Sequence, residues 1–499
     1  MSKRTRPLFS LLLAASMLAA CGTQVTNPVT GRSERSVMDE PTEIAEGQKA
    51  HQQVLQEYGA YPSPALQAYV NGVGQRLAAH SHRAQLKWTF TVLDSPEINA
   101  FALPGGYVYV TRGIMAYLDS EAELAAVMGH EIGHVTARHG AQRATRQQSA
   151  GLGVLAATVL GAVLESRGVG GATDLASQVS QSAAAGYIAS YSRDQELQAD
   201  QLGAEYLVRN QYNPQNMVDV IGVLKDQEQY AIDSAQAEGR AAPSGNNWLA
   251  SHPSNDRRLA DIKQIAAGFK GQWGDDYRAR YLNAIAGMGF GDSREQGVTR
   301  GRNFYHEGLN IALSAPAGWH VRNGAEAITL VNPAGDAGLV VRLLPPSAGS
   351  THEEVIRNVL KPSDGRVEKR NVNGLAATHF EGAARNAQGQ AQAVRVTIVT
   401  GPANRNYLMQ YAAKDAAALQ RAQPQMVEAE SSFRAMSAAD HSAARPWTLR
   451  TATYPRGGFA ELARASPLPV RAEAQLRLLN GAYNGGPEPQ PGTLVKVVQ

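Results

Sequence analysis

The sequence predicts a multidomain protein: a mainly α-helical domain with a small sheet, then an α+β module, then a small βααβ module. Three observations predict this. Residues 46–270 are Ala-rich with helical spacing of apolar positions, interrupted only by strand-like runs at 86–92 and 106–111. From 304 to about 435 the period drops to two: Leu309, Ile311 and Leu313 alternate, as do Leu339, Val341 and Leu343, then Val394, Val396 and Ile398, then Tyr407, Met409 and Tyr411. Residues 447–499 read strand, helix, helix, strand. A length of 499 residues suits two or three domains, and 43% apolar against 18% charged residues suits globular cores.

Taken in order, the chain opens on Lys3, Arg4 and Arg6 before an apolar run over 8–20, the pattern of an export leader. The run ends Leu18-Ala19-Ala20-Cys21, similar to a bacterial lipoprotein cleavage box. That resemblance implies a signal peptide over 1–20, lipidation of Cys21 and a lipid-anchored periplasmic protein. Gly22, where an inner-membrane retention signal would carry Asp, points to the outer membrane. A plain secretory signal is the alternative, and a membrane anchor is disfavoured because the run is well short of ~20 apolar residues. Residues 21–45 read as a polar tether. With one cysteine the chain excludes an intramolecular disulfide and a four-Cys zinc site. The leader holds three basic residues and no acid, so the formal charge of +3 leaves with it and implies no nucleic-acid partner.

Between the modules, 271–303 is Gly-rich and reads as a linker, although part of 275–285 has helical character. Residues 150–164 are apolar but below spanning length; a buried helix pair is the ordinary reading, and a segment dipping into the bilayer or lining a groove is the other. Helical stretches at 352–360 and 416–434 accompany the strands of the α+β module, 304–440.

The chemistry sits in His130-Glu131-Ile132-Gly133-His134. In a helix, i and i+4 share a face, so two imidazoles can reach one metal ion while Glu131 lies beside the attacking water. The flanks predict that helix. Ser120 and Glu123 make an S-x-x-E capping box, Leu124, Val127, Met128, Ile132 and Val135 recur at helical spacing, and Gly140 is a natural stop. A catalytic zinc wants three protein ligands. Glu196 is the best third candidate, with Asp200 one turn on, so that one carboxylate can bind metal while the other accepts an imidazole N–H.

Together with Asn99-Ala-Phe-Ala-Leu-Pro-Gly-Gly106, the run from Ser120 to His134 and Ser192-Arg193-x-x-Glu196-x-x-Ala-Asp200, these residues resemble the HtpX/BepA/LoiP type of gluzincin zinc metallopeptidase, relatives of the CAAX prenyl-protein peptidases. Asn27-Pro-Val-Thr-Gly31 matches its lipoprotein members. The resemblance covers roughly 25–265. It implies one zinc on His130, His134 and Glu196, Glu131 as catalytic base, Asp200 behind the ligands, and a peptide extended near 100–104. Unlike the HtpX branch, this chain lacks multiple spans; unlike the BepA branch, it lacks helical repeats. The family often has a His-Pro turn where Ser251-His252-Pro253 stands, which makes His252 a candidate gate or oxyanion donor; a plain turn before a helix at 257–265 is the alternative. His139, about 140° round the helix from His134, reads as a helix-end or core residue.

Residues 445–499 resemble a LysM module, with Tyr454-Pro-Arg-Gly-Gly458 in place of the usual Gly-Asp-Thr turn, so peptidoglycan is a candidate partner. The expected activity is cleavage of misfolded or stalled envelope proteins. The competing reading is a lipid-anchored chaperone or scaffold with a gated site. No Gly-x-Ser-x-Gly elbow, Walker loop or complete G-x-G-x-x-G is present, which disfavours serine hydrolases and nucleotide enzymes.

Overall fold

The computed structural model describes residues 23–27, 30–145, 191–237, 252, 256–324, 327–385 and 391–499. The leader, Cys21 and the stretch 150–164 lie outside the described residues. The chain divides into two units, Met1–Met288 with Thr448–Gln499, and Gly289–Trp447.

In the first unit, strands β1 (Thr23–Thr26) and β2 (Ser33–Ser36) pair antiparallel. The segment expected to be a tether is therefore structured in large part. Helix α1 (Glu40–Tyr58) also starts before the expected boundary at 46, because Asp39 caps it by accepting from Thr42 N at 2.9 Å. Helix α2 (Pro64–Ala79) leads to a three-stranded sheet of order β3 (Thr89–Leu93), β5 (Tyr107–Thr111), β4 (Ala100–Leu103). β3 runs parallel and β4 antiparallel to β5, which leaves β4 at the edge. Gly105 and Gly106, at φ +83° and +100°, make the tight β4–β5 turn.

After the short α3 (Arg112–Tyr117) comes α4 (Glu121–Thr136), buried along nearly its whole length. Ser120 Oγ accepts from Glu123 N at 3.1 Å, but the Glu123 carboxylate takes Asp119 N at 2.6 Å, so the expected capping box forms in only one direction. α4 ends at Thr136 rather than at Gly140, with Arg138 in the left-handed region at φ +59°. Gly140 serves packing instead: a Cβ there would sit 3.1 Å from Pro104 Cγ.

Helix α5 (Arg193–Arg209) opens with a Ser192–Gln195 capping box and packs on α4. The two backbones meet at glycines. A Cβ on Gly133 would lie 2.8 Å from Ala199 O, and one on Gly203 would lie 3.0 Å from His130 N. That close approach faces Glu196 and Asp200 toward His130 and His134. Helices α6 (Asn216–Ala237), α7 (Asp256–Gly268) and α8 (Arg278–Ile285) complete this part. α8 lies within 275–285, where the sequence allows a helix inside the expected linker 271–303, and it is packed: Tyr281 is buried, its hydroxyl donating to Met115 O at 2.6 Å.

In the second unit the alternating segments are strands, as their period requires. β6 (Val298–Arg300), β7 (Asn303–His306) and β8 (Ile311–Ser314) form a small sheet. β9 (His320–Asn323), β10 (Ile328–Val331), β11 (Ala337–Leu343), β12 (Pro362–Val372), β13 (Leu375–Arg385), β14 (Ala391–Thr400) and β15 (Asn406–Ala413) form an antiparallel sheet of order β9-β10-β11-β15-β14-β13-β12. Helix α9 (Ala416–Ser431) belongs to a core with Leu339, Val341, Met409 and Tyr411, while Val355 and Ile356 close a second core with Val396 and Ile398.

The C-terminal segment has the order β16 (Trp447–Thr453), α10 (Gly458–Arg464), α11 (Ala472–Leu479), β17 (Leu494–Val498), with β16 and β17 antiparallel. It is not the separate module expected over 445–499, because it clusters with the first unit. Lys496 is buried in β17 and its ammonium donates to Ala116 O and Leu118 O at 3.1 and 2.6 Å. Gln475 donates to Tyr117 OH at 2.9 Å. The Lys496 ammonium thus docks the segment onto the end of α3.

Candidate metal centre

α4 and α5 bring His130, His134 and Glu196 together, and His252, four residues before α7, joins them; one ligand atom from each lies within 4.8 Å of the others. His130 Nε2 is 3.0 Å from His134 Nε2 and 3.2 Å from His252 Nδ1. Glu196 reaches His134 Nε2 at 3.5 Å, His130 Nε2 at 3.6 Å and His252 Nδ1 at 3.0 Å. Glu131 Oε1 lies 3.4 Å from His252 Nε2. None of these residues, nor Asp200 or Arg258, is more than 6% exposed.

The protonation pattern follows from the surroundings. Burial, reinforced by neighbouring His and Arg charge, pushes His134 well below its ordinary value. Burial likewise takes His252 down to about 3, against the pull of Glu131. Both rings are neutral near pH 7 and carry a lone pair. Burial raises Glu196 to about 7 although Arg258 opposes it. Asp200 is buried too, yet Arg258 and His130 overcome the desolvation and hold its carboxyl well below the usual range. Asp200 Oδ1 lies 2.8 Å from His130 Nδ1, which places that ring's proton on Nδ1 and turns its Nε2 lone pair into the cluster.

This donor set fits zinc. Nitrogen and oxygen ligands around a tetrahedral zinc stand about 3.3–3.6 Å apart, and the separations here run from 3.0 to 3.6 Å. The two imidazole nitrogens face each other across 3.0 Å in a buried site, and with both lone pairs turned inward a cation between them would satisfy both. Among the described residues this is the one group with that arrangement.

Residues 64–266 match the profile of Peptidase family M48. Those residues are thus similar to a zinc metallopeptidase domain. The chain is 30% identical over 273 residues to the beta-barrel assembly-enhancing protease of Yersinia pestis, covering 53% of each chain. It is 29% identical over 245 residues to the protein of that name from Escherichia coli K12, covering 48% of this chain and 47% of that one. It is also 29% identical over 243 residues to the mitochondrial metalloendopeptidase OMA1 of Schizosaccharomyces pombe, covering 48% and 65%. The chain spans about half the length of the beta-barrel assembly-enhancing proteases it matches.

Three parts of this domain's centre escape the motif reading. Arg258, on α7, grips Asp200 through Nε and Nη2, each at 2.8 Å, meets Glu196 at 2.7 Å and donates to His252 O at 3.0 Å. A counter-charge for two buried carboxylates six residues after His252 was a usable signal. Tyr191 stacks on the His134 ring at 3.9 Å, and Arg143 lies over Tyr191 at 4.4 Å. His139 is buried against His134, a contact that its angular position on a continuous helix does not allow. The helix stops at Thr136, and the turn brings His139 back.

Proposed function

We propose that the chain is a zinc-dependent endopeptidase of the bacterial cell envelope that cleaves misfolded or stalled envelope proteins. One observation carries this reading: the buried convergence of His130, His134 and Glu196 at zinc-ligand separations, with Glu131 beside them. The relatives' names support the envelope setting, and the leader pattern with Cys21 supports a lipid anchor on the periplasmic side of the outer membrane.

His130, His134 and Glu196 hold the metal. When bound, zinc supplies Lewis acidity that makes water nucleophilic near neutral pH and polarises a peptide carbonyl. Glu131 takes the proton of the attacking water and passes it to the leaving amine. Asp200 fixes the tautomer of His130, and Arg258 balances the carboxylates. The edge strand β4 is where an extended substrate would add as a further strand. His252 bears on regulation. A catalytic zinc would need one position for water, and His252 Nδ1 lies within 3.2 Å of both His130 and Glu196, where it would compete for that position. Displacement of His252 would open the site, which favours a gated peptidase over a permanently active one. Peptidoglycan remains the proposed partner of the LysM-like segment, tested by co-sedimentation of the full chain with purified sacculi.

The deciding experiment is casein cleavage by the purified chain. Activity that a chelator removes and zinc restores, and that Glu131→Gln abolishes while zinc stays bound, is expected. Full cleavage by Glu131→Gln with zinc confirmed would overturn the assignment. Suppression of aggregation that survives Glu131→Gln would favour a chaperone or scaffold.

A further inference from the structure

His134 makes a second contact on the side away from the cluster. Its Nδ1 lies 2.9 Å from His139 Nδ1, and His139 Nε2 lies 3.3 Å from Gln198 Oε1. The same Gln198 oxygen accepts from Asn27 Nδ2 at 3.0 Å. Asn27 is buried and begins the turn of the N-terminal hairpin, where its Oδ1 accepts from Thr30 N at 3.1 Å and its carbonyl from Gly31 N at 2.9 Å. Gln198 stands on α5 between Glu196 and Asp200. The chain of contacts therefore starts at β1, crosses the helix that carries a zinc carboxylate, and ends on a zinc imidazole.

Proton placement along it is determined once His134 ligates through Nε2, so the inference rests on the ligand reading above. A ligating Nε2 must carry no proton, which puts the His134 proton on Nδ1, donated to His139 Nδ1. His139 must then be protonated on Nε2, where it faces an oxygen, Gln198 Oε1. That oxygen takes both N–H groups, and the amide of Asn27 is held in its donating orientation by Thr30 N on its oxygen. Each donor meets an acceptor. The stack of Tyr191 on His134 fixes the plane of that ring but presents no acceptor to Nδ1, so it cannot select the tautomer.

We infer that His139, Gln198 and Asn27 form a positioning relay that sets the tautomer and orientation of His134, making zinc affinity depend on the docked N-terminal hairpin. The hairpin begins at Thr23, so the segment next to the predicted lipidation site is part of the metal site's support.

The test is the zinc dissociation constant of the full chain, measured by competition with a chromophoric chelator, with circular dichroism to confirm folding. His139→Leu is expected to weaken zinc binding ~10–100-fold, the usual cost of losing an outer partner of a ligating histidine. His139→Asn keeps an acceptor where Nδ1 stood and is expected to restore most of that loss, which a purely packing role would not predict. Asn27→Leu and Gln198→Leu, at links further from His134, are expected to cost roughly 3–10-fold. Wild-type affinity in His139→Leu while His134→Ala loses zinc would overturn the relay and leave the ligand reading intact. Retention of zinc by His134→Ala would instead remove the ligand reading, and the relay with it. If His139→Leu does not fold, unchanged affinity in both Asn27→Leu and Gln198→Leu overturns the link to the hairpin.

Discussion

Both units bury histidines and glutamates, but only one arrangement asks for a metal. In the second unit His379 Nδ1 meets Thr397 Oγ1 at 2.8 Å, and Glu430 accepts from Thr397 and Tyr411 hydroxyls at 2.6 Å each. His352 places its two nitrogens on the hydroxyls of Thr378 and Thr400 at 2.7 and 2.8 Å. Thr397 and Thr400 give their protons to Glu430 and Asn406 and so accept from the imidazoles they face, while Thr378 can donate to His352 Nδ1. In the first unit the imidazoles of His130 and His134 face each other, and a shared carboxylate faces both. The residue types are the same. What differs is the partner: hydroxyls complement the ring nitrogens in the second unit, whereas the first unit gathers ring nitrogens and a carboxylate at metal-ligand spacing.

The sharpest way to break this contrast is to remove one carboxylate from each unit. Glu196→Ala should cost zinc stoichiometry and lower peptide cleavage by at least ~10³-fold, since a two-histidine site lacks the third ligand of a catalytic zinc. Glu430→Ala should leave bound zinc unchanged by metal analysis. Equal zinc in wild type and Glu196→Ala would exclude Glu196 as a ligand and dissolve the distinction between the two clusters.

A smaller effect, of opposite sign, is expected at His252. Its ring occupies the fourth place among the ligand atoms, so His252→Ala should raise casein cleavage, by about tenfold if the closed arrangement is ~90% populated. A loss of activity with zinc retained would instead make His252 an oxyanion donor.

How much of this was legible depends on the range over which each contact acts. The period-two runs of the second unit became strands because alternation is a local property, and α4 was readable from its apolar spacing and the Ser120 cap. The end of α4 was misjudged because Gly140 is needed to clear Pro104, a residue far back in the chain. The N-terminal hairpin reads as tether because its strands have four residues each and its anchoring bond, Asn27 to Gln198, spans 171 positions. The buried place of Lys496 has no local signal, since the carbonyls it meets, Ala116 and Leu118, lie some 380 positions earlier. The ligands His130 and His134 were legible because one helical turn fixes their spacing. Arg258 and His139 act through contacts that only the packed helices create.

Thr397→Val tests the other side of the comparison. It keeps the shape of a fully buried residue and removes the hydroxyl that links His379 to Glu430. Leaving those two groups short of a partner should cost roughly 1–3 kcal/mol of stability in chemical denaturation, with zinc content and cleavage unchanged. A stability equal to wild type would mean that the network is not what holds this part of the sheet.

The smallest expected effect is in acid, and it separates the units by pH. Asp440, in the second unit, is held down to about 2: burial raises its carboxyl, but hydrogen bonds from Arg434 and from the backbone and hydroxyl of Ser437 outweigh it. A carboxyl whose folded value is depressed contributes stability above its unfolded value, near 3.9, and loses it as pH falls through the folded one. Arg434 is 38% exposed, so solvent screens the pair and the contribution should be about 1 kcal/mol or less. Glu123, in the first unit, behaves oppositely: burial and the nearby Asp119 raise it to about 7. Its folded form favours the proton, so it costs stability as pH rises from about 4.5 to 7. Asp440→Asn should therefore narrow its deficit relative to wild type between pH 4 and pH 2, whereas Glu123→Gln should gain on wild type from pH 5 to pH 8. Parallel denaturation curves across both windows would show that neither carboxyl is coupled to folding as its surroundings dictate.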